Sequence, residues 1–185
     1  LQASDPNRSV WVNASAGTGK TKVLIQRVLR LLLPRHDGHP GTRPDRILCL
    51  TYTNAAATEM QQRLLKTVQE WAICDENALF ESIKELQGQN PTEKQIKSAR
   101  SLFTVLTDGP YYVRLLTIHS FCQSILARFP LEAGISPGFQ LVGEKETTDL
   151  IHQAFRKTVS YMIRDDDLSH HYNHITLISA DETIY

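Results

Sequence analysis

Ala14-Ser15-Ala16-Gly17-Thr18-Gly19-Lys20-Thr21 is the stretch whose reading decides the fold. Residues 10–13 ahead of it form a short β-type run, and Val23, Leu24, Val28, Leu31 and Leu32 behind it recur at helical spacing. The order is strand, glycine loop, helix. Small residues let successive backbone N–H groups turn inward on an anion, and the following helix points its positive N-terminus at the same place. Gly17 and Gly19 meet the first requirement. Lys20 is placed to neutralise the terminal phosphates of a nucleoside triphosphate, and the Thr21 hydroxyl to bind magnesium, a hard cation that favours oxygen ligands. The first position of the general pattern is glycine, whereas here it is Ala14, also a small residue.

Outward from the loop, Pro34 ends the first helix, and residues 35–46, rich in Pro, Gly and charge, read as an exposed connection. Residues 47–52 are a second buried strand. Asn54 then stands where a helix N-cap belongs, ahead of a helix reaching toward Trp71. Two successive βα units favour a parallel sheet. Residues 75–106 read as a polar helical insertion broken at 88–91, where Thr92 and Gln95 are spaced for a capping box. A third strand is expected at 113–118, a helix at 119–129 stopped by Pro130, a short strand at 139–142 and a helix at 144–163. The fold class predicted is α/β: a P-loop parallel sheet flanked by helices, with a mainly helical inserted subdomain. The expected division sets residues 1–74 and 107–143 against 75–106 and 144–185.

Composition sets bounds on this reading. A chain of 185 residues with 41% hydrophobic content buries one sizeable core. The longest apolar stretch, residues 23–33, is interrupted by Gln26, Arg27 and Arg30, so no membrane span is expected and a cytoplasmic protein is the default. Cys49, Cys74 and Cys122 lie far apart without metal or redox spacing and are expected to be free, mostly buried thiols. Net charge is zero, yet residues 1–70 carry ten Lys or Arg against five Asp or Glu, and residues 71–185 carry ten against fifteen. The first stretch is the one suited to polyanions.

The phosphate loop, the stretch Thr51-Tyr52-Thr53-Asn54-Ala55-Ala56-Ala57-Thr58-Glu59-Met60 with Arg63, and Thr117-Ile118-His119-Ser120-Phe121-Cys122 together resemble motifs I, Ia and Ic of the UvrD, Rep and RecB superfamily I helicases. Residues 125–134 look most like the AddA branch, the helicase-nuclease component of a bacterial double-strand-break repair complex. The resemblance runs from about Ala3 to Val142. It implies a RecA-like ATP-binding domain that uses ATP and magnesium, with Ala14, Ser15, Ala16, Gly17, Thr18, Gly19, Lys20 and Thr21 at the nucleotide. Lys20 and Thr21 are the implied catalytic side chains, and Thr21 is also the magnesium ligand. It further implies that Tyr52, Thr53, Asn54, Arg63, Thr117 and His119 line the path of single-stranded DNA. Their chemistry agrees: Tyr52 offers a face on which a base can stack, and Thr53, Asn54, Thr117 and His119 can hydrogen-bond phosphate or sugar without reading sequence. Taken singly, Asn54 also fits a helix cap, Tyr52 a core aromatic and His119 a buried histidine. Gln2 is the candidate for the family's adenine-contacting glutamine, at a shorter spacing from Lys20 than the family pattern.

The family's magnesium-holding acid pair has one local mimic, Asp181-Glu182 after an apolar run, which lacks the glutamine that should follow. The expectation is therefore an N-terminal piece of a longer motor acting on single-stranded and duplex DNA, whose whole protein partners a second helicase-nuclease component. Such a piece binds nucleotide weakly and neither hydrolyses it nor unwinds DNA alone. His171 and His174 could share a helix face as metal ligands, but a solvated segment is the preferred reading, as it is for the acidic run 165–167. Two other functions compete: a complete non-catalytic nucleotide or nucleic-acid binding module, and a small P-loop phosphotransferase, which would leave residues 51–63 without a role.

Overall fold

A computed structural model describes residues 2–15 and 17–164. Its helices are α1 (Lys20–Leu32), α2 (Asn54–Ile73), α3 (Glu76–Gln87), α4 (Glu93–Thr107), α5 (Ile118–Arg128) and α6 (Glu144–Arg164). Its strands are β1 (Leu48–Thr51) and β2 (Arg114–Thr117). The chain forms two compact units, Leu1–Phe129 and Pro130–Tyr185.

In the first unit β1 and β2 pair in parallel, with Leu48 opposite Arg114 and Thr51 opposite Thr117. Parallel neighbours need a long crossover, and α2, α3 and α4 supply it. The core follows from helical periodicity. Ile25, Val28, Leu29 and Leu32 lie on one face of α1, Met60, Leu64, Val68 and Trp71 on one face of α2, and Leu79, Ile83 and Leu86 on one face of α3. These join Ala99 and Leu102 of α4, Cys49 of β1, and Ile47 and Val113, the residues just ahead of the two strands, in a single buried cluster. Alternation along β1 then fixes the two faces of the sheet. Cys49 faces the core, while Leu48 and Leu50 remain 42% and 41% exposed on the other side.

Polar groups bolt the helices together. The Trp71 indole N–H donates to Ser82 Oγ at 2.8 Å, and Arg100 donates to the carbonyls of Trp71 and Cys74 at the C-terminal end of α2. The expected capping box forms, with the Thr92 hydroxyl accepting from Gln95 N–H and Gln95 Oε1 accepting from Thr92 N–H. Gln95 does more than cap. It is fully buried, and its amide nitrogen donates to Pro34 O and to Gln87 Oε1, both at 2.8 Å, tying α4 to the ends of α1 and α3. Arg27 donates to the carbonyls of Asp5 and Arg8 and so clamps the N-terminal segment on α1.

Several expectations change. Residues 10–13 form no strand, because β1 pairs only with β2 among the described residues; Val10 and Val12 lie beside α1 instead, each 43% exposed. Residues 139–142 likewise form no strand, and Leu141 and Val142 are exposed. The N-cap of α2 is Thr53 rather than Asn54: the Thr53 hydroxyl accepts from Ala56 N–H, and Asn54 is the first helical residue. By compactness the chain divides between Phe129 and Pro130, and the apolar faces of α3 and α4 bury in the core of the first unit. Cys49 is buried, Cys74 half-buried and Cys122 exposed, all three as free thiols, and burial pushes the Cys49 thiol pKa up.

Among its described residues the second unit has turns through Gly134 and Gly138, followed by the 21-residue α6. No helix among the described residues is long and apolar enough to cross a membrane. The motifs noted at 165–167, 171, 174 and 181–182 lie outside the described residues, as does Ala16.

Replacing Gln95 by Ala leaves the buried Pro34 carbonyl and Thr92 N–H without partners. We expect the variant to lose about 1–3 kcal/mol of unfolding free energy in urea titration. Glu93→Ala, an exposed change two residues away, is expected to stay within about 0.5 kcal/mol of the parent.

Candidate functional site

The glycine loop takes the conformation its residues allow. Gly17 and Gly19 have φ of 79° and 87°, in the left-handed region that costs other residues about 1–2 kcal/mol. A Cβ on either would meet nothing within 4 Å, so conformation and not space requires glycine. Thr18 Oγ1 donates to Ser15 O at 2.7 Å and closes the turn. The Lys20 ammonium folds back on the same loop, donating to the carbonyls of Ala14 and Ser15, each at 2.5 Å.

The N-terminus of α1 differs from its neighbours. α2, α3, α4 and α5 each have a side chain accepting from a first-turn N–H: Thr53, Asp75, Thr92 and Thr117. α1 has Gly19 at its N-cap position, no side-chain cap and no acidic residue in its first turn, and its first three residues are Lys20, Thr21 and Lys22. Two lysines at the positive end of a helix dipole oppose it. A bound polyanion reverses the sign of that interaction, and the uncapped N–H groups supply its donors. The residues present thus fit a triphosphate, and Thr21, half-buried in the first turn, carries a hydroxyl, an oxygen donor of the kind magnesium favours.

A second cluster sits at the carboxyl edge of the sheet. Because Thr51 pairs with Thr117, the β1–α2 and β2–α5 links emerge side by side, and the N-termini of both helices meet at one edge. In parallel α/β sheets that edge is where ligands bind. Tyr52 is 87% exposed there, which removes the core-aromatic reading. His119 is exposed too, so it is not a satisfied buried histidine. Thr53 and Asn54 are exposed; the Thr53 oxygen accepts one N–H and keeps its proton free to donate. Thr117 is only 7% exposed, capping α5 through Ser120 N–H with its Oγ1 2.8 Å from Ser120 Oγ.

Arg63 stands apart from that edge. It lies nine residues along α2 from Asn54, about 14 Å by helical rise, pairs with Glu59 at 2.5 Å, and lines a groove of about 450 Å³ with Lys22 and Lys66. Gln2 is exposed in a 3₁₀ turn, Gln2–Ser4, and its neighbour Ala3 shares a hollow of about 250 Å³ with Val10, Val12 and Lys20. Sequence reasoning missed two hydroxyls at the sheet edge, Thr51 and Ser120. The signal for Thr51 was its place two residues before a capping threonine. The described residues bring together no group of three or more His, Cys, Asp or Glu able to hold a metal ion.

The family described as UvrD/REP helicase N-terminal domain matches residues 2–181. An ATP-dependent helicase/nuclease subunit from Listeria monocytogenes serotype 4a is 32% identical over 148 residues, which cover 80% of this chain and 10% of that protein. The protein of the same name from Desulforamulus reducens is 33% identical over 153 residues, again 80% and 10%, and that from Acetivibrio thermocellus 32% over 140 residues, 76% and 9%. The chain thus spans about a tenth of the length of the curated relatives it matches. Both the uncapped, lysine-led helix behind the glycine loop and the paired βα links at one sheet edge fall within the matched stretch: this chain belongs to the UvrD/REP helicase N-terminal domain family.

Proposed function

We propose that this chain is the N-terminal ATP-binding part of a DNA helicase that translocates on single-stranded DNA and unwinds duplex. The observation that carries the reading is the N-terminus of α1, led by Lys20, Thr21 and Lys22 with neither a side-chain cap nor an acidic residue. In this reading Ser15, Gly17, Thr18 and Gly19 present the loop backbone to the phosphates, and the Lys20 ammonium exchanges the carbonyls of Ala14 and Ser15 for phosphate oxygens. The Thr21 hydroxyl holds magnesium, which when bound supplies the positive charge that offsets the phosphates during transfer.

Tyr52, Thr53, Asn54 and His119 then form the face toward single-stranded DNA. Thr117 supports it from beneath as a cap, and Arg63 reaches DNA only beyond the edge. The first unit, Leu1–Phe129, corresponds to a partial RecA-like domain and the second to the start of a helical subdomain. The relatives are named as ATP-dependent helicase/nuclease subunits, and that name extends the reading to the parent protein. That protein is then a cytoplasmic bacterial enzyme of recombinational double-strand-break repair, carrying a nuclease activity and working with a second, different chain.

Thermal unfolding with and without magnesium-ATP tests the loop. At about 100 times its dissociation constant ATP stabilises by roughly 2.7 kcal/mol, and we expect that shift in the parent chain and its loss in Lys20→Ala. An unchanged melting temperature in both, or an equal shift in both, would overturn the assignment of Lys20. At the sheet edge, Tyr52→Ala is expected to weaken oligodeoxythymidylate binding by the roughly 1–3 kcal/mol that base stacking contributes; fluorescence anisotropy measures it, and an unaltered affinity removes Tyr52 from the DNA face.

A further inference from the structure

We propose that Thr51 is a positioning residue for nucleic acid: its hydroxyl locks the two-residue link that carries Tyr52, so that the ring is held out for a base before a strand arrives. The inference rests on the reading of Tyr52 as a stacking platform and adds what fixes that platform. A ring 87% exposed is not held by packing. The direction in which its Cα–Cβ bond leaves the chain is set by the backbone of residue 52, and both neighbours of that residue are tied. Thr51 ends β1 and is fixed by its pairing with Thr117. Its Oγ1 donates to Thr53 O at 3.0 Å, across Tyr52.

The same carbonyl accepts Ala57 N–H at 3.2 Å, while the Thr53 hydroxyl accepts Ala56 N–H, also at 3.2 Å. Thr53 is thus held to the first turn of α2 by two bonds and to the end of β1 by the Thr51 hydroxyl. Without that hydroxyl the link has no side-chain tie to the strand it leaves, and residue 52 regains backbone freedom that stacking must then remove. Rigidifying a binding element in its bound form raises affinity by removing that ordering cost. Thr51 itself need not touch the ligand, since its proton is already committed within the link.

The test is anisotropy titration of the 185-residue chain against a labelled oligodeoxythymidylate, with Thr51→Val, Thr51→Ser, Tyr52→Ala and the double variant Thr51→Val/Tyr52→Ala. Valine keeps the β-branched shape that suits a strand end and removes only the hydroxyl, and a melting curve confirms folding. We expect Thr51→Val to weaken binding about 2- to 10-fold, the range for one lost hydrogen bond, and Thr51→Ser to bind like the parent. In the Tyr52→Ala background Thr51→Val should cause no further loss, because Thr51 acts through the ring. Parent-like binding by Thr51→Val, or an equal loss with and without Tyr52, overturns the proposal. If Tyr52→Ala alone leaves affinity unchanged, the stacking reading fails and Thr51 falls with it, an outcome separable from failure of Thr51 alone.

Discussion

The parallel register of β1 and β2 is the constraint on which the rest of this structure depends. A parallel neighbour cannot be reached by a tight turn, so residues 54–107 must leave the sheet, cross it and return. Everything buried in that crossing follows. α2 lays Met60, Leu64, Val68 and Trp71 toward the core, α4 packs along α2, and α3 packs against α1 and α4. The same register brings both strand ends, at Thr51 and Thr117, to one edge. Two helices therefore start together there, and neighbouring N-termini concentrate positive potential where the proposed DNA face lies.

What could be read from the sequence was what is local. The glycine loop, the start of α1, the Thr92–Gln95 box and the stop before Pro130 depend on residues within a turn of one another, and all four are present. What could not be read depends on distant partners. The Val-Trp-Val run at 10–12 has the side chains of a strand, but β-propensity describes fit to a neighbouring sheet surface, and β1 is paired elsewhere. Residues 75–106 look polar along the chain, yet Leu79, Ile83 and Leu86 recur at intervals of four and three and sink into the core. The capping role moved from Asn54 to Thr53 because two adjacent residues are both good caps, and only the backbone turn after Thr51 chooses between them. At the site, Tyr52 and His119 stand exposed as a ligand face requires, whereas Thr117 is spent on α5.

The first unit also separates two uses of helix N-termini. Four of its described α-helices each satisfy a first-turn N–H with a Thr or Asp side chain. α1 instead leaves its end to glycine and lysine. Lys20, exposed at the surface, is meanwhile held by the loop carbonyls of Ala14 and Ser15, the acceptors that the proposed phosphate would replace.

α2 is held at both ends. Thr51 and Thr53 secure its first turn, Arg100 grips its last carbonyls, and between them run 20 residues, about 30 Å of continuous helix. A rod fastened at each end transmits load along its axis instead of yielding to it. The Tyr52 link and Arg100 of α4 are thus joined by one uninterrupted helix with no loop between them, and the crossover that parallel pairing requires spans the first unit as a strut.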